Sequence, residues 1–158
     1  MKQTIKEKDS QVLVPGCGNS LLAEKMFKGL ALTRPVTGID FEENVIKKMK
    51  NRNAQGTDFV VMDVTKMTYK AEVFDFVVDK GTLDAICSDS SSDTTLKVID
   101  YLNNVVRVLK TKGTFIIISL LQNFVLDAIV SFFSKSVGNT AAHDNIFELK
   151  IQKIDKVS

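Results

Sequence analysis

Residues 12–20 of the chain read VLVPGCGNS, a short apolar run that leads directly into a loop with two glycines. An apolar run without alternation is typical of a strand that is buried on both faces of a parallel sheet. The residues after the loop have helical spacing, and those predicted to share a buried face are Leu21, Leu22, Lys25, Met26 and Leu30. The stretch therefore predicts the first strand and the first helix of an α/β fold.

The rest of the chain continues this alternation. Further strands are predicted at residues 36–39, 59–62, 74–78 and 114–119, and helices at residues 42–51, 94–110 and 124–133. Residues 134–144 are predicted to form a loop, and residues 146–154 a strand with one solvated face. The pattern predicts a mostly parallel sheet with helical crossovers.

The longest predicted helix is expected to end shortly before Gly113. Its apolar positions have helical spacing and predict the buried face: Leu96, Ile99, Leu102, Val105, Val106 and Leu109.

The composition favours one domain over residues 1–158 and excludes several classes of protein. Lys and Arg number 21 against 19 Asp and Glu, which disfavours a nucleic-acid partner. No apolar run approaches the roughly 20 residues that a membrane span needs, so we expect a cytoplasmic protein without a membrane partner. Cys17 and Cys87 have no zinc-site spacing; we expect free thiols and no metal.

Polar features follow four successive predicted strands: the loop Gly16-Cys17-Gly18-Asn19, then Asp40, Asp63 and Asp79. The carboxyl ends of parallel strands meet at one edge of a sheet, where ligands of open α/β sheets bind. Asp40 stands where a carboxylate can accept both hydroxyls of a ribose, and Asp63 where one can accept from the exocyclic amine of an adenine. These positions predict a nucleoside-containing ligand.

Each feature also has a purely structural interpretation. The glycine loop could be an ordinary strand-to-helix turn, Asp40 a helix cap and Asp63 a turn residue. A dinucleotide-binding fingerprint would need a third glycine where the chain has Leu21, which argues against a bound pyrophosphate.

Residues 79–85 read DKGTLDA and follow the fourth predicted strand. The carboxylates of Asp79 and Asp84 could orient a ligand ammonium group and accept a proton from a substrate amine. Alternatively, the segment is a solvated turn in which Asp79 pairs with Lys80.

Four stretches of the chain resemble the methyltransferase-like thirteen group of class I, S-adenosylmethionine-dependent methyltransferases. They are residues 12–20, 45–53, 62–65 and 79–85, and the last is the most specific to the group. The group includes lysine methyltransferases of translation elongation factor one alpha. The resemblance therefore implies a Rossmann-like, doubly wound sheet with helices on both faces, S-adenosylmethionine as cofactor with S-adenosylhomocysteine as product, and elongation factor one alpha as protein substrate.

The resemblance also implies a role for each candidate residue. The methionine end of the cofactor would lie at Gly16, Cys17, Gly18 and Asn19, and its ribose at Asp40. Its adenine would lie beside Phe41, Asp63 and Val64. Asp79 would face both the methionine moiety and the entering amine, with Asp84 as the second candidate for the catalytic carboxylate.

The chain differs from the group's usual pattern at both ends. Ten polar residues precede its first strand, and one convincing strand follows its last helix. We expect either a class I fold truncated at both ends or a degenerate domain. Two other functions remain open: a catalytically silent binding module with this fold, and an aminopropyltransferase of the spermidine synthase kind.

Overall fold

The structure is a computed structural model that describes residues 8–87, 91–120 and 122–138. Its strands form one five-stranded sheet in the order β3-β2-β1-β4-β5, and every adjacent pair is parallel. The strands are β1 (Val12–Pro15), β2 (Val36–Asp40), β3 (Thr57–Val61), β4 (Phe74–Lys80) and β5 (Leu109–Ile118). Strands β2 and β3 follow on one side of β1, and strands β4 and β5 lie on its other side. The topological switch point, where ligands of such sheets bind, lies between β1 and β4.

Helices cover both faces of the sheet. They are α1 (Leu22–Gly29), α2 (Glu43–Asn51), α3 (Thr82–Ile86), α4 (Ser92–Val108) and α5 (Asn123–Gly138), with a short 3-10 helix at Val64–Lys66. Successive residues of a strand point to opposite faces, so β1 contributes to two cores. Val12 and Val14 pack with α1 and α2, whereas Leu13 packs with α3, α4 and α5. The predicted doubly wound α/β architecture is confirmed.

Two predicted buried faces were only partly correct: Leu102 and Val105 on α4 and Met26 on α1 are buried as predicted. On α4, Leu96 is 61% exposed and Ile99 is also exposed. The observed buried face of α4 includes a threonine and a tyrosine, and its members are Thr94, Val98, Tyr101, Leu102, Val105 and Val108. On α1, Leu21 and Lys25 are exposed, and Ala23 and Met26 are buried.

Several boundaries also differ from the prediction. Helix α4 ends shortly before Gly113, as predicted, but Gly113 lies inside β5, which begins directly after α4. Strand β4 continues to Lys80, so Asp79 belongs to the strand itself. Helix α5 reaches Gly138, which overlaps the loop predicted at residues 134–144.

The strand predicted at residues 146–154 lies outside the described residues, and the single-domain organisation over residues 1–158 stays a prediction. Within the described residues, no helix is both long enough and apolar enough to span a bilayer.

Candidate active site

The strand register brings the predicted site residues to one edge of the sheet. Pro15 pairs with Ile39, so Gly16 lies level with Asp40 at the carboxyl ends of β1 and β2. Leu13 pairs with Val77, which sets Pro15 level with Asp79 across the switch point. The glycine loop is therefore flanked by Asp40 on one side and Asp79 on the other.

The glycine loop depends on two left-handed residues. Gly16 and Gly18 have φ angles of +53° and +52°, a conformation that residues with a Cβ rarely adopt. A Cβ at Gly16 would lie 2.3 Å from Oγ1 of Thr82, whereas a Cβ at Gly18 would meet no atom within 4 Å. Gly16 therefore packs against the protein, and Gly18 faces open space.

The backbone N–H groups of this loop are partly used within the protein. Cys17 donates to the carbonyl of Ile39 and Gly18 to the carboxylate of Asp40, each at 2.9 Å. The carbonyl of Asn19 accepts from Arg52 at 3.1 Å. These bonds fix the loop before any ligand arrives.

Cys17 is buried, and burial, followed by the charge of Asp40, raises the pKa of its thiol to about 12. A thiol with this pKa stays protonated and is a packing residue. Cys17 and Cys87 are both reduced thiols, as predicted.

Asp40 is 8% exposed, and each of its carboxylate oxygens accepts one backbone hydrogen bond. Oδ2 accepts from Gly18 at 2.9 Å and Oδ1 from Glu42 at 3.0 Å. A carboxylate has about four acceptor sites, so two remain for a ligand. The alternative role as the α2 cap is wrong, because Glu42 is the N-cap residue and has no capping side-chain bond.

Phe41, the next residue, is 69% exposed. A large aromatic ring exposed beside a carboxylate at the ligand edge of a sheet can provide a stacking surface.

Asp63 and Val64 follow β3 at the same edge. Oδ1 of Asp63 accepts from both the backbone N–H and the hydroxyl of Thr65, each at 2.8 Å, and so caps the 3-10 helix. Asp63 is exposed, and Val64 is half-buried against the core below α4. The turn role of Asp63 is confirmed, and the exposed carboxylate can still accept a ligand amine.

Asp79 is 0% exposed, so the prediction that its carboxylate faces the crevice is wrong. It accepts three hydrogen bonds: from the backbone N–H groups of Thr82 and Leu83 at 2.8 and 3.0 Å, and from the hydroxyl of Tyr101 at 2.6 Å. Burial raises its pKa to about 6, and the hydrogen bond from Tyr101 counteracts part of this shift. The alternative pairing with Lys80 is also wrong, since Lys80 is exposed and Asp79 is enclosed.

Asp84 lies in the first turn of α3 and is half-buried. Its Oδ1 accepts from the hydroxyl of Ser119 at 2.6 Å, and its Oδ2 from the backbone N–H of Leu120 at 3.3 Å. These bonds connect α3 to the carboxyl end of β5. Asp84 therefore keeps the partial exposure that Asp79 lacks.

Two residues of this edge were not predicted from the sequence. Thr82 donates from its hydroxyl to the carbonyl of Pro15 at 2.9 Å, and Tyr101 donates to Asp79. The position of Thr82 within DKGTLDA was the available signal for the first. Nothing in the local pattern of α4 distinguishes Tyr101 from an ordinary core aromatic residue.

A cavity of about 270 Å³ lies at the opposite edge, where the strands begin. Its lining includes Gln11, Arg34, Asp58 and Tyr69. No residue of the predicted site lines it, so the cavity does not define the candidate site. Among the described residues, no group of three or more His, Cys, Asp or Glu side chains could hold a metal ion.

Comparison with known proteins identifies the family of the chain. Residues 6–155 match the family model described as a methyltransferase domain. The chain is 41% identical over 128 residues to the Bos taurus "eEF1A lysine and N-terminal methyltransferase", a match that covers 79% of this chain and 18% of that protein. It is 36% identical over 114 residues to the Bos taurus "EEF1A lysine methyltransferase 4", covering 67% of this chain and 44% of that protein.

The fold has solved counterparts. A TehB-like SAM-dependent methyltransferase from Corynebacterium glutamicum superposes with a TM-score of 0.60 at 19% identity, over 80% of this chain and 66% of that one. This likeness shows the class I, Rossmann-like fold. The chain spans about a fifth of the length of the eEF1A lysine and N-terminal methyltransferases that it matches. From the match over residues 6–155, the chain belongs to the methyltransferase domain family.

Proposed function

We propose that the chain binds S-adenosylmethionine at the carboxyl edge of the sheet and transfers its methyl group to an amine of a protein substrate. The observation that carries the cofactor assignment is the arrangement around Gly18. Its Cα faces open space, its N–H is fixed by Asp40, and the exposed ring of Phe41 lies next along the chain.

The residues present fit the parts of this cofactor. Open space at Gly18 admits the methionine moiety, and the two unused acceptor sites of Asp40 suit the ribose hydroxyls. Phe41 provides a stacking surface for the adenine. Asp63 and Val64 would lie beside the same adenine. Cys17, Gly16 and Asn19 shape the loop through their backbone.

When bound, S-adenosylmethionine would supply a methyl group on a positively charged sulfur. A neutral amine can take this methyl group and release the sulfur as a neutral thioether, without a metal. The protein's task is then to align the amine, exclude water and accept a proton. A free lysine has a pKa of about 10.4, so a nearby carboxylate helps to remove its proton. Asp84 is half-buried, whereas Asp79 is enclosed and cannot touch a substrate. Asp84 is therefore the first candidate for the carboxylate that accepts the proton of the lysine.

The proposed substrate is translation elongation factor one alpha. The relatives with 41% and 36% identity carry this substrate in their names, and the name of the second mentions lysine alone. Both names include lysine methylation, and the first also includes the N-terminus, so a lysine is the proposed acceptor. We infer a cytoplasmic location from the same substrate.

Calorimetry with S-adenosylmethionine tests the cofactor assignment. Saturable binding is expected, and no binding heat across the tested range would support the silent binding module instead. Decarboxylated S-adenosylmethionine in a parallel titration separates the aminopropyltransferase alternative, which would bind that compound more tightly. Methylation of purified elongation factor one alpha, followed by mass spectrometry of its lysines, then tests the substrate.

A further inference from the structure

A chain of hydrogen bonds connects helix α4 to the glycine loop. Tyr101 on α4 donates to Asp79 at 2.6 Å, and Asp79 accepts from the backbone N–H groups of Thr82 and Leu83. Thr82 then donates from Oγ1 to the carbonyl of Pro15 at 2.9 Å, directly before Gly16. Three links thus join a core side chain to the loop that begins the site.

The last link leaves little freedom. A Cβ at Gly16 would lie 2.3 Å from Oγ1 and 2.7 Å from Cγ2 of Thr82, so the two residues are in close contact. Thr82 is itself buried. Any displacement of Thr82 therefore displaces Gly16, and with it the loop.

We propose that Tyr101 is a positioning residue for the cofactor site: through Asp79 and Thr82, its hydroxyl fixes the conformation of the glycine loop. This inference rests on the proposed function, in which the loop holds S-adenosylmethionine. Tyr101 is completely buried, so its hydroxyl acts on the loop through Asp79.

The hydroxyl has a role that is separable from packing. The ring of Tyr101 belongs to the core formed with Leu13, Leu102 and Val105, and a phenylalanine ring would fill the same space. A phenylalanine cannot donate a hydrogen bond to the carboxylate of Asp79, which is buried away from water. Such a carboxylate is costly to bury unless donors satisfy it, and charge-assisted bonds are stronger than neutral ones.

The pKa of Asp79 depends on the hydroxyl of Tyr101 and can be followed by experiment. Two titratable side chains act on Asp79: Tyr101 on α4 and Asp84 on α3. On the neighbouring strand β5, Asp79 pairs with Ile117. The hydrogen bond from Tyr101 lowers the pKa of Asp79 against the effect of burial. Loss of the hydroxyl should raise that pKa further toward neutral pH.

The test compares Tyr101→Phe with Tyr69→Phe, the same change at the chain's other tyrosine. The Tyr69 hydroxyl has no hydrogen-bond partner among the described residues, and Tyr69 lines the cavity at the opposite edge of the sheet. Two quantities are measured for the wild type and both variants. One is amide hydrogen exchange of the cofactor-free protein by NMR, and the other is S-adenosylmethionine affinity by calorimetry from about pH 5.5 to about pH 8.

Tyr101→Phe is expected to accelerate exchange at the amides of Thr82 and Leu83 and at those of Cys17 and Gly18, and to weaken cofactor affinity about tenfold. As the pH is lowered, the cofactor affinity of Tyr101→Phe should also begin to fall at a higher pH than that of the wild type. Tyr69→Phe should match the wild type in both measurements. If the two variants behave alike, the inference is wrong.

Failure of the proposed function gives a different result. A wild type that does not bind S-adenosylmethionine overturns that function, while the exchange of the cofactor-free loop still decides whether Tyr101 positions it. Unchanged exchange in Tyr101→Phe overturns the inference even if the wild type binds tightly. Should Tyr101→Phe not fold, Thr82→Val removes the last link, from Oγ1 to the carbonyl of Pro15, and must produce the same loop exchange and affinity loss.

Discussion

The carboxylate of Asp40 accepts a hydrogen bond from the backbone N–H of Gly18, with 2.9 Å between Oδ2 and the nitrogen. This bond connects the end of β2 to the loop after β1, two features that sequence analysis assigns to different parts of one ligand. Asp40 therefore shapes the glycine loop, and in the proposed function its remaining acceptor sites bind the ribose.

Replacing Asp40 should affect binding and stability together. Asp40→Ala removes the proposed ribose acceptor and leaves the N–H groups of Gly18 and Glu42 without their partner. We expect S-adenosylmethionine binding to weaken by about 1.5–3 kcal/mol and the free energy of unfolding to fall by about 1 kcal/mol. Calorimetry and urea denaturation measure the two quantities.

Asp58→Ala is the matched control for this change. Asp58 is an exposed carboxylate on the neighbouring strand, near the opposite edge of the sheet. Its loss should leave cofactor affinity unchanged. Equal affinities of Asp40→Ala and the wild type would remove Asp40 from the site.

The two loop glycines should respond differently to substitution. Both Gly16→Ala and Gly18→Ala introduce a Cβ at positive φ, which costs about 1–2 kcal/mol. Only at Gly16 does the Cβ collide with Thr82, so urea denaturation should show the larger loss of stability for Gly16→Ala. Gly18→Val should fold yet fail to bind S-adenosylmethionine, because its side chain enters the open space. Normal affinity of Gly18→Val would place the ligand elsewhere.

The sheet could be predicted from the sequence because each strand contains a short apolar run. The buried face of α4 could not be predicted in the same way. Thr94, Val98 and Tyr101 form part of that face, while Leu96 is 61% exposed. Counting apolar residues at helical spacing identified Leu102 and Val105 but missed part of the buried face, because that face includes a threonine and a tyrosine whose burial depends on contacts distant in sequence.

The same limitation applies to the site. The positions of Asp40, Asp63 and Asp79 at the carboxyl ends of successive strands follow from the topology and could be predicted. The direction of a side chain at a strand end could not, and Asp79 points into the core rather than toward the crevice. Its partner Tyr101 is 22 positions away, and only the packing of α4 brings the two together.

Phe41 provides a test of the adenine end of the site. Phe41→Ala removes a ring that is 69% exposed, so we expect little change in the temperature of unfolding. The loss of stacking should weaken S-adenosylmethionine binding by about 1 kcal/mol. Leu96→Ala, which removes a similarly exposed apolar side chain on α4, should leave binding unchanged. Equal effects of the two variants would mean that the adenine does not contact Phe41.

Asp84 is expected to act in methyl transfer rather than in cofactor binding. Asp84→Asn should keep S-adenosylmethionine affinity within a few fold, because the amide can still pair with Ser119 and Leu120. The rate of methylation of elongation factor one alpha should fall about 100-fold, in line with the loss of a general base. Asp93→Asn is the control, since Asp93 is exposed on α4 and pairs with Lys97. A parental rate for Asp84→Asn would reduce Asp84 to the link between α3 and β5.

The raised pKa of Asp79 makes a prediction about stability that needs no ligand. In the folded protein burial raises this pKa from 3.8 to about 6, so near pH 5 the folded chain holds a proton that the unfolded chain has released. The stabilisation from this group is complete below the unfolded pKa and is lost as pH rises through the folded pKa. Between about pH 4.5 and about pH 7.5 the free energy of unfolding of the wild type should therefore fall by about 2 kcal/mol relative to that of Asp79→Asn. Urea denaturation of both proteins at the two pH values measures this difference, and carboxylates common to both cancel. A constant difference between the two proteins would contradict a raised pKa for Asp79.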